Sequence, residues 1–339
     1  MDFSTLTAEW GIDFSEVDPD PQIEGSPERT LARSVFRDTK GRRWILEQIG
    51  EANLTRKQEI AEQLNMLASS GLQRIHPYRR TCSNSFFQTL ENPSGAGSAC
   101  WMLRSFVEGI PLNRETYLND PWRIDEMSGF LLQLRENSAT HPGLRPPLQG
   151  RGVPKIPSTG GVPERRGGFF SIAAYAESRM KAWRTRYSKL AEKFEGSFVK
   201  LEQSFFPLHD QLPLAFCHGD FHPLNMIWGP DSIRSVIDWE FCGIKPELYD
   251  VALLIGCLGF ENPDNLIREP VIRLVQTLRT AGYGAQESWE NILELAATIR
   301  FGWMSEWIRR SDREAREMEA VYIDILVDQK EYILRHWQA

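Results

Sequence analysis

The chain has 339 residues, of which 41% are hydrophobic and 25% are charged, and its formal net charge is −7. This apolar content suffices for a large core or two lobes and excludes disorder over most of the chain. The acidic balance lacks the broad basic surface of a nucleic-acid-binding protein. No apolar run approaches the ~20 residues that span a bilayer, and the N-terminus lacks the apolar stretch of a signal peptide. We therefore expect a cytoplasmic protein that binds neither nucleic acids nor membranes.

The first third of the chain alternates predicted strands with one predicted helix. TLARSVFRDTKGRRWILEQI, residues 30–49, alternates apolar and polar positions around a turn and predicts a β-hairpin. TRKQEIAEQLNMLASSG, residues 55–71, predicts an amphipathic helix that ends at Gly71. SNSFFQTL and SACWMLRSF predict a second hairpin. This order indicates an α+β lobe over residues 1–107, an antiparallel sheet with one main helix.

The remainder, residues 108–339, is predicted to be a mostly α-helical second lobe. In WRIDEMSGFLLQLRENS, the apolar residues that share one helix face are Ile124, Met127, Phe130, Leu131 and Leu134. Residues 144–168 are rich in Pro and Gly and predict a long loop. Helical periodicity resumes near residue 170 and again from about residue 264 to the end. Short strands are expected only near residues 212–243.

Two polar clusters follow short apolar runs in this strand-containing segment. In LPLAFCHGDFHPLNMIW, an apolar run gives way to His218 and Asp220, and Asn225 precedes a second apolar run. Asp238 ends a further short run, in SVIDWEFCG. In phosphoryl transfer one Asp accepts the hydroxyl proton, while an Asn and a second Asp bind Mg²⁺ through hard oxygen ligands. The spacing HxDxxxxN, followed by an Asp on the next strand, is that of a kinase catalytic loop. We therefore assign the base to Asp220 and the metal ligands to Asn225 and Asp238.

The segments HGDFHPLN and VIDWEFCGIKPELYDVA resemble the aminoglycoside phosphotransferase and choline kinase superfamily, which comprises small-molecule kinases with a protein-kinase-like fold. The resemblance implies a bilobal protein with the nucleotide, ATP or GTP, between the lobes, with Mg²⁺ as cofactor, and with the acceptor among the C-terminal helices. It makes His218 an organiser of the catalytic loop and Asp250 its support. It also implies that the adenine meets the backbone near Arg104, Phe106 and Val107.

The implied reaction moves the γ-phosphate of the nucleotide to a hydroxyl group of a small metabolite or antibiotic. Aminoglycosides, sugars and amino sugars, homoserine and choline-like alcohols are all acceptors that the resemblance allows. Protein substrates are not expected, because no activation loop follows Asp238 and the chain runs directly into an apolar helix. The expected state is a monomer or a homodimer.

One position departs from the family pattern. The family carries a Lys in the third strand to hold the phosphates, whereas WILEQI places Glu47 there. We expect Lys57, early on the following helix, to have exchanged places with this acid, so that the two form the usual ion pair in reverse. Arg29, Arg43 and Arg56 are the alternative sources of positive charge, and Lys57 is otherwise a solvated helix charge.

The turn before the first hairpin supplies two further candidate nucleotide ligands. Gly25 and Ser26 lie where backbone N–H groups can face a phosphate. A plain surface turn explains them as well.

Candidate residues for the acceptor come from the catalytic segment and the C-terminal helices. They are His222, Glu240, Glu306 and Asp312. Glu306 and Asp312 also fit a solvated helix face beside the neighbouring arginines. Trp303, Met304 and Trp307 are assigned to the helix core, with a platform for a sugar as the alternative.

Two other functions remain open from the sequence. His218, Asp220 and His222 alternate as ligands of zinc do on a strand, but a zinc hydrolase leaves Asn225 and Asp238 unexplained. The missing third-strand Lys also allows a catalytically impaired, kinase-like protein that binds a nucleotide and acts as a regulator. The intact set of catalytic-loop residues favours the enzyme.

Overall fold

The computed structural model describes residues 3–19, 30–91, 98–144 and 171–338. The candidate nucleotide ligands Gly25 and Ser26, the alternative Arg29 and nearly all of the predicted loop at 144–168 lie outside the described residues. No helix within the described part of the chain is both long enough and apolar enough to cross a membrane.

The chain divides into two compact units. Unit 1 comprises Met1–Pro111 and Met226–Glu240, and unit 2 comprises Leu112–Asn225 and Phe241–Ala339. The predicted lobe boundary at residues 107 and 108 stays a prediction.

Unit 1 is built on a five-stranded antiparallel sheet in the order β1-β2-β3-β5-β4. Its strands are β1 (Phe14–Asp18), β2 (Ala32–Asp38), β3 (Arg43–Ile49), β4 (Gln88–Glu91) and β5 (Ser98–Ser105). Its helices are α1 (Phe3–Ala8) and α2 (Leu54–Ser69). Both predicted hairpins and the predicted helix are present. The sequence did not predict α1 and β1, because such short segments show too little periodicity to be recognised.

The turn between β2 and β3 is held by one buried carboxylate. Asp38 accepts hydrogen bonds from the backbone N–H groups of Lys40 at 3.0 Å and Arg42 at 2.8 Å, and from the Trp44 indole at 3.1 Å. Gly41 has a φ of 74°, which few other residues adopt without strain. This turn sets the register of the hairpin and places Arg33 of β2 directly opposite Glu47 of β3.

Helix α2 buries the face that its apolar periodicity predicts. Ile60, Leu64 and Leu67 are buried, and Ala61 joins them. The chain leaves the helix at Gly71, whose φ of 102° and hydrogen bond to the Ala68 carbonyl oxygen give the expected C-terminal cap.

A third hairpin of unit 1 comes from far along the sequence. It consists of β7 (Met226–Trp228) and β8 (Ile233–Val236). The N–H of Ile110 donates to the carbonyl oxygen of Trp228 at 2.8 Å, and the N–H of Val236 donates to that of Arg74, also at 2.8 Å. These backbone contacts explain why residues 226–240 group with the N-terminal part of the chain.

Unit 2 is mostly helical, as predicted. Its helices are α3 (Pro121–Thr140), α4 (Ile172–Arg186), α5 (Ser188–Ser204), α6 (Phe206–His209), α7 (Tyr249–Glu261), α8 (Glu269–Thr280), α9 (Gln286–Glu290), α10 (Ile292–Arg309), α11 (Arg313–Asp328) and α12 (Lys330–Gln338). Among the described residues of this unit, the strands β6 (Leu214–Cys217) and β9 (Gly243–Pro246) pair antiparallel. The predicted α+β class, with an antiparallel sheet and a helical majority, is confirmed. Strand β9 extends the strand-containing segment, expected near residues 212–243, to residue 246, and α7 follows at Tyr249. The segment GIKP ends in Pro and carries no strand signal.

The core of unit 2 contains a fully buried ion pair between α10 and α11. Arg300 donates to both carboxylate oxygens of Glu319, at 2.5 Å and 2.6 Å, and the two side chains are 3% and 0% exposed. Burying two charges is costly, so each depends on its partner to remain ionised.

Arg300→Met is expected to lower the free energy of unfolding by about 3–5 kcal/mol, because it leaves a carboxylate buried without its cation. The double variant Arg300→Met/Glu319→Met removes both charges and should recover most of that loss. Chemical denaturation of the full chain measures both changes.

Arg273→Met is the matched control for this prediction. Arg273 also makes two hydrogen bonds to one carboxylate, that of Asp125, at 2.7 Å each, but at the surface. Its loss should change stability little, because water screens exposed ion pairs. An Arg300→Met variant as stable as this control would contradict the prediction.

Candidate active site

The loop that carries Asp220 is hydrogen-bonded to a buried carboxylate on α7. Asp250 is 1% exposed and accepts the backbone N–H groups of His218 and Gly219 at 2.7 Å each. Burial raises the pKa of Asp250, while the nearby His218 and these two hydrogen bonds act to lower it. The support that the resemblance assigns to Asp250 is therefore present in the structure.

Gly219 cannot be replaced without moving this loop. Its φ is 84°, and a Cβ placed there would lie 2.2 Å from the carbonyl oxygen of Phe241 and 2.7 Å from Cε of Lys245. Phe221, two residues on, stacks on Phe130 of α3 with the ring centroids 5.6 Å apart. The HGDF segment is thus packed tightly on both sides.

Asp220 and Asn225 contact each other at the two ends of the loop. The Asn225 amide nitrogen donates to Oδ2 of Asp220 and to its backbone carbonyl oxygen, at 2.9 Å each. The same nitrogen lies 3.1 Å from Nε2 of His222, which is itself 3.6 Å from Oδ1 of Asp220. Unit 2 therefore brings together these three residues, which the sequence predicts for catalysis, metal binding and substrate binding.

The environment of Asp220 favours its ionised form. Burial alone would raise the pKa of this carboxyl group, but contacts with His222, the nearby His218 and the Asn225 amide lower it below its usual value. The backbone N–H of Asp220 donates to Nδ1 of His218 at 3.1 Å, so a neutral His218 carries its proton on Nε2. An ionised carboxylate is what a general base requires.

Asp238 follows β8 in an unusual backbone conformation. Its φ is 60°, a region that Asp tolerates better than most residues, and its side chain is exposed. The next residue, Trp239, is buried and its indole N–H donates to the carbonyl oxygen of Val236 at 3.0 Å. Trp239 therefore anchors the turn, in which Asp238 is an exposed residue.

Helix α2 holds the residue two positions after Asp238. Lys57, whose side chain is 2% exposed, forms an ion pair with the carboxylate of Glu240. The neighbouring Arg56 donates to the backbone carbonyl oxygen of Glu240 at 2.8 Å and 3.3 Å. These contacts tie the Asp238 turn to the helix.

Glu47 of the third strand is surrounded by cations. It is fully buried and accepts hydrogen bonds from Arg33 at 2.7 Å, from the Tyr78 hydroxyl at 2.6 Å and from Arg104 at 3.4 Å. Burial acts to raise its pKa, but the charges of Arg104, Arg33 and Lys57 outweigh this and lower it to about 2. The sequence predicts a pair between Glu47 and Lys57. In the structure Lys57 forms its ion pair with Glu240, and its positive charge contributes to the lowered pKa of Glu47.

Arg33 and Tyr78 are members of this cluster that the sequence did not predict, and Arg33 is the cation among them. The available signal was the hairpin register, since a turn at residues 38–42 places residue 33 opposite residue 47, and oppositely charged residues at such positions stabilise each other. Of the alternative cations, Arg43 instead pairs with Asp18 at 2.9 Å and lies over the Phe106 ring.

The segment assigned to the adenine directly follows β5. The N–H of Phe106 donates to the carbonyl oxygen of Arg43 at 3.0 Å, so this N–H is engaged within unit 1. Phe106 and Val107 are both half-buried. Arg104 takes part in the Glu47 cluster.

Glu306 and Asp312, which are predicted to bind the acceptor, are engaged by other residues of the chain. Glu306 binds Arg309 and Arg310, with the shortest contacts at 2.6 Å and 2.5 Å, and Arg309 together with Arg310 lowers its pKa to about 2. Asp312 caps α11 by accepting the N–H of Ala315 at 2.9 Å. Trp303 and Trp307 are half-buried, whereas Met304 between them is fully buried. Met304 is therefore core, and the two indoles are partly accessible.

For the zinc alternative, three ligands are needed at one point. Across the four described segments no group of three His, Cys, Asp or Glu side chains is arranged to hold a metal ion.

A model of the phosphotransferase enzyme family matches residues 23–286, which is most of the chain. No curated protein matches the sequence.

Solved structures with low sequence identity share the fold. An amicoumacin kinase in complex with AMP-PNP, Ca²⁺ and Ami matches with a TM-score of 0.58 at 10% identity, over 97% of this chain and 94% of that chain. The GDP complex of aminoglycoside 2′-phosphotransferase-IIIa matches with 0.58 at 13% identity, over 97% of each chain. A spectinomycin phosphotransferase in complex with ADP and spectinomycin matches with 0.53 at 17% identity, over 98% and 92%. These similarities confirm the predicted kinase-like fold.

Glu47 should make stability depend on pH in a defined window. Because its pKa is lowered from its usual value to about 2 in the folded chain, its ionised form stabilises the fold above pH ~4.5, and this stabilisation is lost as the pH falls towards 2. Glu47→Gln should therefore be less stable than the natural protein at pH 7, with the difference shrinking below pH ~4.5. Urea denaturation between pH 7 and pH 3 measures this.

Glu16→Gln, at an exposed position on β1, is the control and should show little difference at any pH. A Glu47→Gln deficit that stays constant down to pH 3 would mean that the charge of Glu47 does not cause it.

Proposed function

Because the chain belongs to the phosphotransferase enzyme family, we propose that it transfers the γ-phosphate of ATP to a hydroxyl group of a small molecule, with Asp220 as the base. Family membership makes the chain a small-molecule phosphotransferase, as the resemblance predicts. The observation that carries the proposed mechanism is the contact between Asp220 and Asn225 on a loop that Asp250 holds in place.

In the proposed reaction the acceptor oxygen bonds to the γ-phosphorus as the bond from that phosphorus to the β,γ-bridging oxygen breaks, and ADP leaves. The acceptor proton passes to Asp220. Oδ2 of Asp220 already accepts the Asn225 amide at 2.9 Å, which leaves Oδ1, beside His222, for this proton. Phosphoryl transfer passes through a loose transition state, so positioning and charge contribute most of the catalysis. The rigid support of the loop by Asp250 serves that positioning.

Asn225 and Asp238 are the proposed ligands of Mg²⁺, which when bound neutralises charge on the phosphate oxygens. Their chemistry fits a hard cation. The Asn225 nitrogen faces Asp220, so its carbonyl oxygen remains for a metal. The Asp238 carboxylate is exposed at a turn that Trp239 anchors. Arg56 and Lys57 act as positioning residues, because they hold Glu240 and, through it, this turn.

The nucleotide phosphates need a positive charge that the third strand does not supply. We assign this role to Arg33 and Arg104, which flank Glu47 on neighbouring strands. Two guanidinium groups around one carboxylate leave one net positive charge in this cluster. Both side chains are partly exposed, Arg33 by 20% and Arg104 by 17%, and guanidinium groups bind phosphate oxygens well.

Asp220→Asn is expected to lower kcat by about 10²–10⁴-fold, the usual contribution of a general base, while ATP still binds. Coupled ADP release measures the rate. Binding is measured by thermal shift with ATP and Mg²⁺, since a ligand at 100 times its Kd adds about 2.7 kcal/mol of stability.

The matched control is Asp231→Asn, in the exposed turn between β7 and β8, which should keep full activity. Unchanged turnover in Asp220→Asn would rule out this residue as the base. A natural protein that binds ATP but transfers phosphate to no acceptor would favour the regulatory alternative.

Lys57→Met is expected to raise the Mg²⁺ concentration needed for half-maximal rate, because Glu240 loses its cation and no longer fixes the Asp238 turn. The expected increase in this Mg²⁺ concentration is on the order of tenfold, which corresponds to about 1.4 kcal/mol of binding free energy. Lys57→Arg should retain most of the activity. Titration of the initial rate with Mg²⁺ at saturating ATP measures the change.

Gln58→Met, at the next and exposed position on α2, controls for the change in side chain. A Lys57→Met variant that is less stable but keeps its Mg²⁺ dependence would show a purely structural role.

A further inference from the structure

Four ring side chains in unit 2 form a row that starts at the catalytic loop. His222 meets Trp303 edge to face with centroids 5.7 Å apart, and Trp303 lies 5.8 Å from Trp307. Trp307 stacks on Phe260 of α7, with centroids 6.3 Å apart and ring planes 15° apart. We call these four residues the aromatic row. Since Trp303 and Trp307 are four residues apart on α10, they project from the same face of that helix.

The buried ion pair of Arg300 and Glu319 contacts three rings of the aromatic row and orients them. The Trp307 indole N–H donates to Glu319 at 2.8 Å, which fixes the ring. The guanidinium carbon of Arg300 lies 4.4 Å from the Phe260 centroid and 5.5 Å from that of Trp303. These rings are therefore oriented before any ligand arrives, and such preorganisation lowers the cost of binding.

Arg300 also limits which ligands the aromatic row can bind. An aromatic ring attracts cations through the negative charge on its faces. Arg300 already occupies that interaction for Phe260 and Trp303, so a quaternary ammonium group gains less from them. The aromatic row is thus a poor site for a choline-like acceptor.

The acids on the helices around the aromatic row do not provide a negative pocket either. Glu261 binds the Tyr117 hydroxyl at 2.7 Å and lies 3.7 Å from Arg114, and Glu306 binds Arg309 and Arg310. On α11, Glu317 is paired with Arg313 and Lys193. Each of these three acids is therefore paired, and together they have more Arg and Lys partners than there are acids. A polycationic acceptor would have to displace arginines from their partners, which costs free energy.

We propose that the acceptor is an uncharged sugar whose ring stacks on Trp303, beside His222. The apolar face of a sugar ring carries C–H groups that suit the negative face of an indole, and stacking removes both from water. Pockets for such ligands combine aromatic walls with a few well-placed polar groups. Here His222 supplies the polar group, and it lies 3.6 Å from Asp220, the proposed base.

This inference rests on the proposed function and names the chemical class of the acceptor. One imidazole separates Trp303 from the Asp220 carboxylate. A hydroxyl group at the edge of a stacked ring can therefore reach Asp220 and pass its proton there, as its oxygen takes the phosphoryl group from ATP.

The test uses the full-length protein with radiolabelled γ-phosphate ATP and Mg²⁺. The acceptors are supplied together, as a small-molecule cell extract supplemented with neutral hexoses, N-acetylhexosamines, aminoglycosides, choline and homoserine. The labelled product is purified and identified by mass spectrometry. A phosphorylated sugar without a charged amine supports the inference. A phosphorylated aminoglycoside, choline or homoserine overturns it and leaves the proposed function standing. No labelled product at all contradicts the proposed function itself.

Variants then test the role of the ring with the sugar identified in this way. Trp303→Ala is expected to raise the KM for the sugar by about tenfold with little change in the KM for ATP, because only acceptor stacking is lost. Trp303→Phe should retain most of the affinity. Tyr332→Ala removes an exposed aromatic side chain from α12 and serves as the control. An unchanged sugar KM in Trp303→Ala, in a variant whose thermal unfolding is normal, overturns the assignment of Trp303.

Discussion

The catalytic loop depends on one buried carboxylate. Asp250 receives the backbone N–H groups of His218 and Gly219 from inside unit 2, where no water competes for them. Without these bonds two backbone donors would be buried unsatisfied, and the tight turn at Gly219 would lose its anchor. Every contact between Asp220, Asn225 and His222 follows from the loop conformation that this carboxylate selects. Asp220 is the proposed base, and Asp250 accepts the backbone N–H groups of the two residues that precede it.

Unit 1 shows how positive charge can be moved without changing the fold. Its third strand carries an acid, Glu47, yet the surrounding arginines make the cluster cationic overall. Helix α2 carries the buried lysine instead, and it pairs with Glu240 beside Asp238. The helix that bears an acid in the family pattern thus contacts the turn of the proposed metal ligand through a cation.

Unit 2 combines the same principle with packing. The ion pair of Arg300 and Glu319 is buried in the helical core and also fixes Trp307 and lies against Phe260. This ion pair, whose burial costs desolvation free energy, therefore both joins α10 to α11 and orients the aromatic row. Buried polar networks that are fully satisfied make a structure rigid. In this case the rigidity lies next to the catalytic loop, where an acceptor must be positioned.

The amino-acid sequence by itself determined the α+β class, the hairpins, α2 and α3, and the family. These follow from local periodicity and from motif spacing, which the chain carries without reference to its fold. It also pointed to Asp250 as the support of the loop. What only the tertiary structure decided were the partners of charged side chains. Lys57 pairs with Glu240, 183 positions away, and Arg104 reaches Glu47 across a strand pairing. Local patterns cannot give such partners, because long-range packing decides which charges share a buried space.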